Sequence, residues 1–294
     1  MAASHTVEVP HLGGIKAGYR LSEPFDPAKP TFVLINSMCM TVSLYNDQFD
    51  SKPIANAVNL LAIEPLGHGA TSCPTEHFTY WDSAIMALQV MEKLGIEKAF
   101  ALGTSQGGWI VTRMALLAPK KILGLLLLGT SLDYESSDSR TKGCWDPKPM
   151  LTPFLEKWFV PDPNFVIDDV WCGMVSSMGF AGGVTEETTQ FWNNTLKSVY
   201  QGDAGRKKAK MALLCLLERD GLLGRLPDVE CPVYWLQGTK DVPYGTQVPG
   251  EQLKLFKNSR ETKLRILENG GHYLNATNPA EVEEALLEMA TKYK

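Results

Sequence analysis

The sequence predicts an α/β protein with a mostly parallel sheet, helices on its faces and one helical insertion. Short apolar runs, typical of strands buried on both faces, alternate with stretches of helical spacing. A sharp turn at residues 103–107 connects such a strand to a helix, and residues 133–227 contain no strand-like run. These observations predict a core at residues 1–132 and 228–294, and a helical cap at residues 133–227.

Each element of the core has its own sequence pattern. Residues 15–20 alternate in polarity and predict an N-terminal antiparallel hairpin. Because strands and helices alternate along the chain, the later strands are expected to run parallel. Helical spacing predicts helices at residues 78–94, 107–117 and 279–292. The predicted strands of the parallel sheet are residues 31–36, 59–64, 98–103, 122–128, 232–237 and 263–267.

Composition narrows the classes of function. The 294 residues are 44% hydrophobic and 21% charged, which is typical of a globular protein. The formal net charge of -5 does not indicate a nucleic-acid-binding protein, which would carry an excess of positive charge. Apolar runs are too short for a membrane helix, and the N-terminus has no pattern of a secretory signal. The six scattered cysteines are interpreted as reduced thiols. We therefore expect a cytoplasmic protein, with no membrane partner.

The turn at residues 103–107 reads Gly-Thr-Ser-Gln-Gly and centres on Ser105. A tight turn exposes the serine hydroxyl, and the glycines let backbone segments approach where a Cβ would clash. The helix that follows directs its N-terminal N–H groups at a developing oxyanion. The pattern predicts that Ser105 is a nucleophile; the alternative is a simple tight turn.

With this turn and three further loops, the chain resembles the α/β-hydrolase superfamily over nearly its whole length. The loops are Pro-Leu-Gly-His-Gly-Ala-Thr-Ser at 65–72, Gly-Thr-Lys-Asp at 238–241 and Asn-Gly-Gly-His at 269–272. The chain order Ser105, Asp241, His272 is the one that this fold uses. The resemblance implies the α/β-hydrolase fold and a capped serine hydrolase.

A serine hydroxyl needs a base to take its proton, and histidine suits this task near neutral pH. Of the five histidines, His272 alone follows a predicted late strand inside a glycine-rich loop, so we predict it as the base. His68 is interpreted as a structural residue of its Gly-His-Gly loop.

The imidazole in turn needs a carboxylate to orient it. Asp241 lies just past the strand at 232–237 and is the predicted acid. Asp133 is the rival, because some members of the superfamily place the acid after the fourth strand, and Glu135 is a weaker rival.

An oxyanion hole needs a second N–H group, from the loop after the first parallel strand. Superfamily members usually have His-Gly there, whereas this chain has Asn-Ser-Met-Cys-Met at 36–40. Asn-Ser followed by an apolar residue resembles the loop of enol-lactone hydrolases. That resemblance implies that Met38 and Gln106 donate the two backbone N–H groups. Cys39 has no such turn around it and is interpreted as a packing or pocket-lining residue.

Large apolar side chains are concentrated in the predicted cap, which is similar in this respect to fungal ester and lactone hydrolases. Most of them are expected to pack within the cap, and some to face the serine. Trp171, Met174 and Trp192 are the predicted substrate-binding residues. An aromatic and methionine-rich lid favours a mostly apolar substrate.

Together these features predict a serine hydrolase that cleaves a carboxylic ester or lactone of a small molecule. Carbon–carbon hydrolysis and acyl transfer use the same triad and stay open, as does a ligand receptor with residual hydrolysis. No phosphate-binding loop or His-Glu-x-x-His sequence occurs, so no cofactor and no metal are expected. A homodimer is left open.

Overall fold

The computed structural model describes residues 5–293. Residues 1–4, part of the stretch in which no secretory signal is expected, lie outside the described residues. The strands are β1 His5–Val9, β2 Ile15–Leu21, β3 Thr31–Ile35, β4 Asn59–Ile63, β5 Ala99–Thr104, β6 Ile122–Leu128, β7 Val233–Gly238 and β8 Thr262–Leu267. The helices are α1 Asn46–Asp50, α2 Lys52–Ala57, α3 Tyr80–Lys93, α4 Gln106–Leu117, α5 Ser137–Thr141, α6 Pro147–Phe159, α7 Asp169–Phe180, α8 Glu186–Val199, α9 Gly202–Leu217, α10 Gln247–Leu253, α11 Leu274–Thr277 and α12 Pro279–Lys292.

The eight strands form a single sheet in the order β1-β2-β4-β3-β5-β6-β7-β8. β2 pairs antiparallel with β1 and with β4, and every later pair is parallel. This confirms the predicted hairpin and the mostly parallel sheet flanked by helices. Short helices at α1, α2 and α10 were not predicted, because runs of five to seven residues carry too few turns for a readable period.

The central strands are buried on both faces because their side chains alternate between two cores. In β3, Val33 and Ile35 point into one core, which also contains Trp109 of α4, whereas Phe32 and Leu34 point into the other. The near-continuous apolar composition of these strands follows from this arrangement.

Between β6 and β7 the described chain forms five α-helices, α5 to α9. Their buried side chains, such as Trp158 and Trp171, belong to the same apolar cluster as Val33 and Trp109. The division into a core and a cap therefore stays a prediction. Within residues 5–293, no helix combines the length and the apolar composition that a membrane span requires.

Candidate active site

Ser105 occupies a strained turn between β5 and α4. Its backbone has φ 55° and ψ -120°, a conformation that costs a non-glycine residue about 1–3 kcal/mol. Two hydrogen bonds connect the turn to β6 and the loop after it: Ser105 N–H donates to the carbonyl of Leu128 at 2.9 Å, and Thr130 Oγ1 donates to the carbonyl of Ser105 at 2.7 Å. A side chain at Gly107 would place its Cβ 2.0 Å from the carbonyl oxygen of Ile35. The second glycine is therefore required by the close approach of β3.

His272 and Asp241 come together from the loops after β8 and β7. His272 Nδ1 lies 2.9 Å from Asp241 Oδ2, and both side chains are buried. The N–H of Tyr244 donates to the other carboxylate oxygen, Oδ1, at 3.0 Å. When Asp241 is ionised it only accepts, so Nδ1 of a neutral His272 carries the proton and Nε2 presents a lone pair. A lone pair at Nε2 is what a general base requires.

The two rival carboxylates have other partners. Asp133 Oδ2 accepts hydrogen bonds from the hydroxyls of Ser136 at 2.5 Å and Ser139 at 2.7 Å. Glu135 forms a buried ion pair with Arg219. Burial raises the pKa of Glu135, while Arg219 opposes that rise. Of the three carboxylates considered from the sequence, Asp241 is the one that the structure pairs with His272.

Ser105 and His272 line the same cavity, which has a volume of about 50 Å³. This is far below the roughly 300–1,000 Å³ of typical small-molecule pockets. Ser37 is the other serine that lines this cavity. The apolar walls of the cavity include Met38, Trp171, Met174, Met178, Tyr244 and Tyr273.

The structure brings together most of the predicted site residues. Met38, Trp171 and Met174 line the cavity with Ser105. Gln106 is the first residue of α4, where a backbone N–H has no acceptor within the helix. Such an N–H, directly after the serine, is available to an oxyanion.

Trp192 is placed elsewhere. It lies on α8 and lines a separate open groove of about 630 Å³, with Phe191 and Lys240. A Trp in an amphipathic helix faces one side only, and here that side lines the groove and not the Ser105 cavity. The sequence pattern alone does not indicate which apolar side of an insertion faces the site.

Sequence reasoning missed several lining residues, of which Met178 and Tyr273 are examples. Met178 lies four residues after Met174 and seven after Trp171, so the helical period of α7 would have placed all three on one face. Tyr273 directly follows His272. Cys39 is buried, and burial raises the pKa of its thiol to about 12, which agrees with a packing role. Among residues 5–293, no cluster of three or more His, Cys, Asp or Glu could hold a metal ion.

Comparisons with known proteins agree with this architecture. A family model described as "alpha/beta hydrolase fold" matches residues 30–151. The chain therefore has the α/β-hydrolase fold.

Solved structures with this fold include two proteins described by activity. The enol-lactonase from Burkholderia xenovorans LB400 has a TM-score of 0.77 and 17% identity, over 97% of this chain and 100% of its own. A thermophilic esterase from Thermogutta terrifontis has a TM-score of 0.78 and 16% identity, over 98% and 99%. Identities this low establish the fold alone.

A curated relative is similar over a shorter stretch. The dihydrolipoyllysine-residue acetyltransferase component of the acetoin cleaving system of Cupriavidus necator is 32% identical over 85 residues. The match covers 29% of this chain and 23% of that protein.

Proposed function

We propose that this protein is a serine hydrolase that cleaves a carboxylic ester or lactone of a mostly apolar small molecule. The observation that carries the proposal is the 2.9 Å contact between His272 Nδ1 and Asp241 Oδ2 beside a cavity that His272 shares with Ser105. A buried imidazole oriented by a carboxylate, next to a strained serine, is the arrangement that activates a hydroxyl.

In the proposed reaction, Ser105 Oγ attacks the acyl carbon while His272 Nε2 takes the hydroxyl proton. The negative oxygen that forms accepts hydrogen bonds from the backbone N–H groups of Gln106 and Met38. The imidazolium, stabilised by Asp241, then gives its proton to the leaving alkoxide, and an acyl-enzyme remains. Water, activated by the same imidazole, attacks the acyl-enzyme and releases the acid, which regenerates the Ser105 hydroxyl.

We further propose that helices α5 to α9 act as a cap and set the choice of substrate. The apolar walls support recognition through buried area rather than charge. The cavity of about 50 Å³ has room for a short acyl group. A larger substrate must displace side chains of the wall, for which the flexible Met38, Met174 and Met178 are suited.

Intact-protein mass spectrometry tests the proposal directly. The protein is incubated with p-nitrophenyl esters of increasing acyl length, with simple lactones and with a fluorophosphonate, and the modified peptide is mapped. We expect one adduct, on Ser105, and its loss in Ser105→Ala. A label on Ser37, the other serine of the cavity, would contradict the assignment.

Acyl transfer is the second candidate, supported by the similarity to the acetyltransferase component. It shares the acyl-enzyme and differs in what consumes it. Product analysis with an added alcohol or thiol distinguishes the two, since a transferase yields mainly the new ester or thioester and a hydrolase yields the free acid. A receptor would give one acylation without turnover.

A further inference from the structure

The side chain of Gln106, directly after Ser105, is buried and connects three segments of the chain. Its Nε2 lies 2.9 Å from His68 Nε2 and donates to the carbonyl of Asn36 at 3.3 Å. Its Oε1 accepts a hydrogen bond from the hydroxyl of Tyr80 at 3.2 Å. Tyr80, Asn36 and His68 are buried as well. All polar atoms of the Gln106 amide therefore have partners in a site closed to water.

The direction of these bonds defines the charge on His68. His68 Nδ1 lies 2.9 Å from the carbonyl oxygen of Leu66, which only accepts, so Nδ1 carries the proton. His68 Nε2 then has a lone pair, which accepts from Gln106 Nε2. A protonated imidazole would instead set its own N–H against the N–H of Gln106. The network consequently needs His68 as neutral imidazole.

The network ends at both proposed donors of the oxyanion hole. Gln106 is one of them, through its own backbone N–H. The other is Met38, two residues after Asn36, and Asn36 Nδ2 donates to the carbonyl of Met40 at 2.7 Å and so ties the loop together. The amide of Gln106 thus spans the gap between the two segments whose N–H groups must converge on one oxygen atom.

We propose that His68 and Gln106 are positioning residues that set the separation of the two oxyanion donors. The inference rests on the proposed function, because it concerns the same oxygen. Without His68, the Gln106 amide loses an acceptor and is free to turn away from the carbonyl of Asn36. The loop that carries Met38 then shifts relative to α4.

The expected loss is specific to the transition state. Removing one oxyanion donor costs about 10²–10³ in kcat, and a misplaced donor should cost somewhat less, about 10- to 100-fold. KM should stay nearly constant, because the interaction forms fully only in the transition state. A general loss of structure would instead lower the amount of active enzyme and the unfolding free energy.

The test compares four variants: His68→Ala, His68→Gln, Gln106→Met and Gln48→Met. Gln48→Met is the matched control, because Gln48 is equally buried and its Nε2 donates to the carbonyl of Asn275 at 2.7 Å rather than to Asn36 or His68. Glutamine at position 68 offers one donor and one acceptor, as neutral histidine does. Each variant is measured for kcat and KM on a p-nitrophenyl ester, for the rate of fluorophosphonate reaction at Ser105, and for unfolding in urea.

We expect His68→Ala and Gln106→Met to lower kcat and the phosphonylation rate together, and His68→Gln to restore much of both. Gln48→Met should lower stability with kcat retained. Equal kcat in wild type and His68→Ala, or equal losses in His68→Ala and Gln48→Met, would overturn the positioning role and leave the proposed function standing. If Ser105 of the wild type failed to react with the fluorophosphonate, the proposed function and this inference would both be wrong.

Discussion

Tyr273 packs against Gly179 so closely that no side chain fits between them. A Cβ on Gly179 would lie 2.1 Å from Cε2 of the Tyr273 ring, and the N–H of Tyr273 donates to the carbonyl of Gly179 at 2.8 Å. Gly179 lies on α7, and Tyr273 directly follows His272. The inserted helices and the loop of the proposed base are therefore in direct contact.

This contact predicts that Gly179→Ala disturbs the site. The added methyl group must displace the Tyr273 ring, and overpacking of this kind costs about 1–3 kcal/mol. Because Tyr273 adjoins His272, kcat should fall as well. Gly173→Ala is the control: it lies on the same helix with open space at its Cβ, and should stabilise the helix by about 0.5–1 kcal/mol. Urea unfolding measures the stability of the two variants, and ester turnover measures their kcat. Equal changes of stability and kcat in Gly179→Ala and Gly173→Ala would contradict the prediction.

Ser105→Ala should abolish ester turnover and leave the fold intact. The hydroxyl lines the cavity and the substitution keeps the backbone of the turn, so the loss should reach several powers of ten in kcat. Steady-state kinetics and circular dichroism measure the two effects. Ser131→Ala, a buried serine outside the cavity, is the control and should retain turnover. Substantial activity in Ser105→Ala would exclude this residue as the nucleophile.

Asp241→Asn should lower kcat by about 10⁴, because the amide donates where Nδ1 must donate and so selects the wrong tautomer of His272. Asp133→Asn should leave kcat nearly unchanged, since the Asp133 carboxylate bonds to Ser136 and Ser139 rather than to His272. Kinetics of the two variants on one ester decide between the carboxylates. A deeper loss in Asp133→Asn would assign the acid to the end of β6.

Substrate preference should respond to the wall of the Ser105 cavity and not to the groove on α8. Met174→Ala and Trp171→Phe enlarge the cavity and should raise kcat/KM for longer acyl chains relative to acetate, by about 1–3 kcal/mol per methylene accommodated. Trp192→Phe is the control, because Trp192 lines the separate groove. Steady-state kinetics on a series of p-nitrophenyl esters give the ratio of kcat/KM for each longer acyl chain to kcat/KM for acetate. Parallel changes for short and long esters would show that these side chains serve stability alone.

His68 should make the protein less stable below neutral pH. Burial is the main cause that lowers the pKa of His68, from 6.5 to about 4, and the positive charge of Lys208 lowers it further. Between pH 6.5 and 4 the unfolded chain therefore binds a proton that the folded protein does not. Stability present above pH 6.5 is lost as the pH falls toward 4, by up to about 3 kcal/mol.

Urea unfolding at pH 7 and pH 4.5 measures this effect. His68→Gln cannot titrate, so its unfolding free energy should decrease less than that of the wild type over the same interval. Buried Glu64 has a raised pKa and is present in both proteins. Its contribution to the pH dependence of the unfolding free energy therefore cancels when the two proteins are compared. Identical pH dependence of the two proteins would mean that His68 already ionises in the folded state.

The sequence by itself determined the sheet and the catalytic candidates. Strands buried on both faces must be almost wholly apolar, and the turn at Ser105 needs glycine where β3 approaches, so both features are visible as residue patterns. The sequence predicts His272 and Asp241 as partners because each follows a strand of the parallel sheet, and loops that follow parallel strands meet at one edge of the sheet.

Only the tertiary structure decided which residues share the cavity. It separated Trp192 from Trp171 and added Tyr273, and it brought His68 into contact with Gln106. Such contacts depend on how helices rotate and cross, and on loop conformations, which local patterns of apolar residues do not specify. The contact between His68 and Gln106 joins residues 38 positions apart and forms only once β4 and β5 lie in one sheet. No periodic pattern of residues in the sequence indicates it.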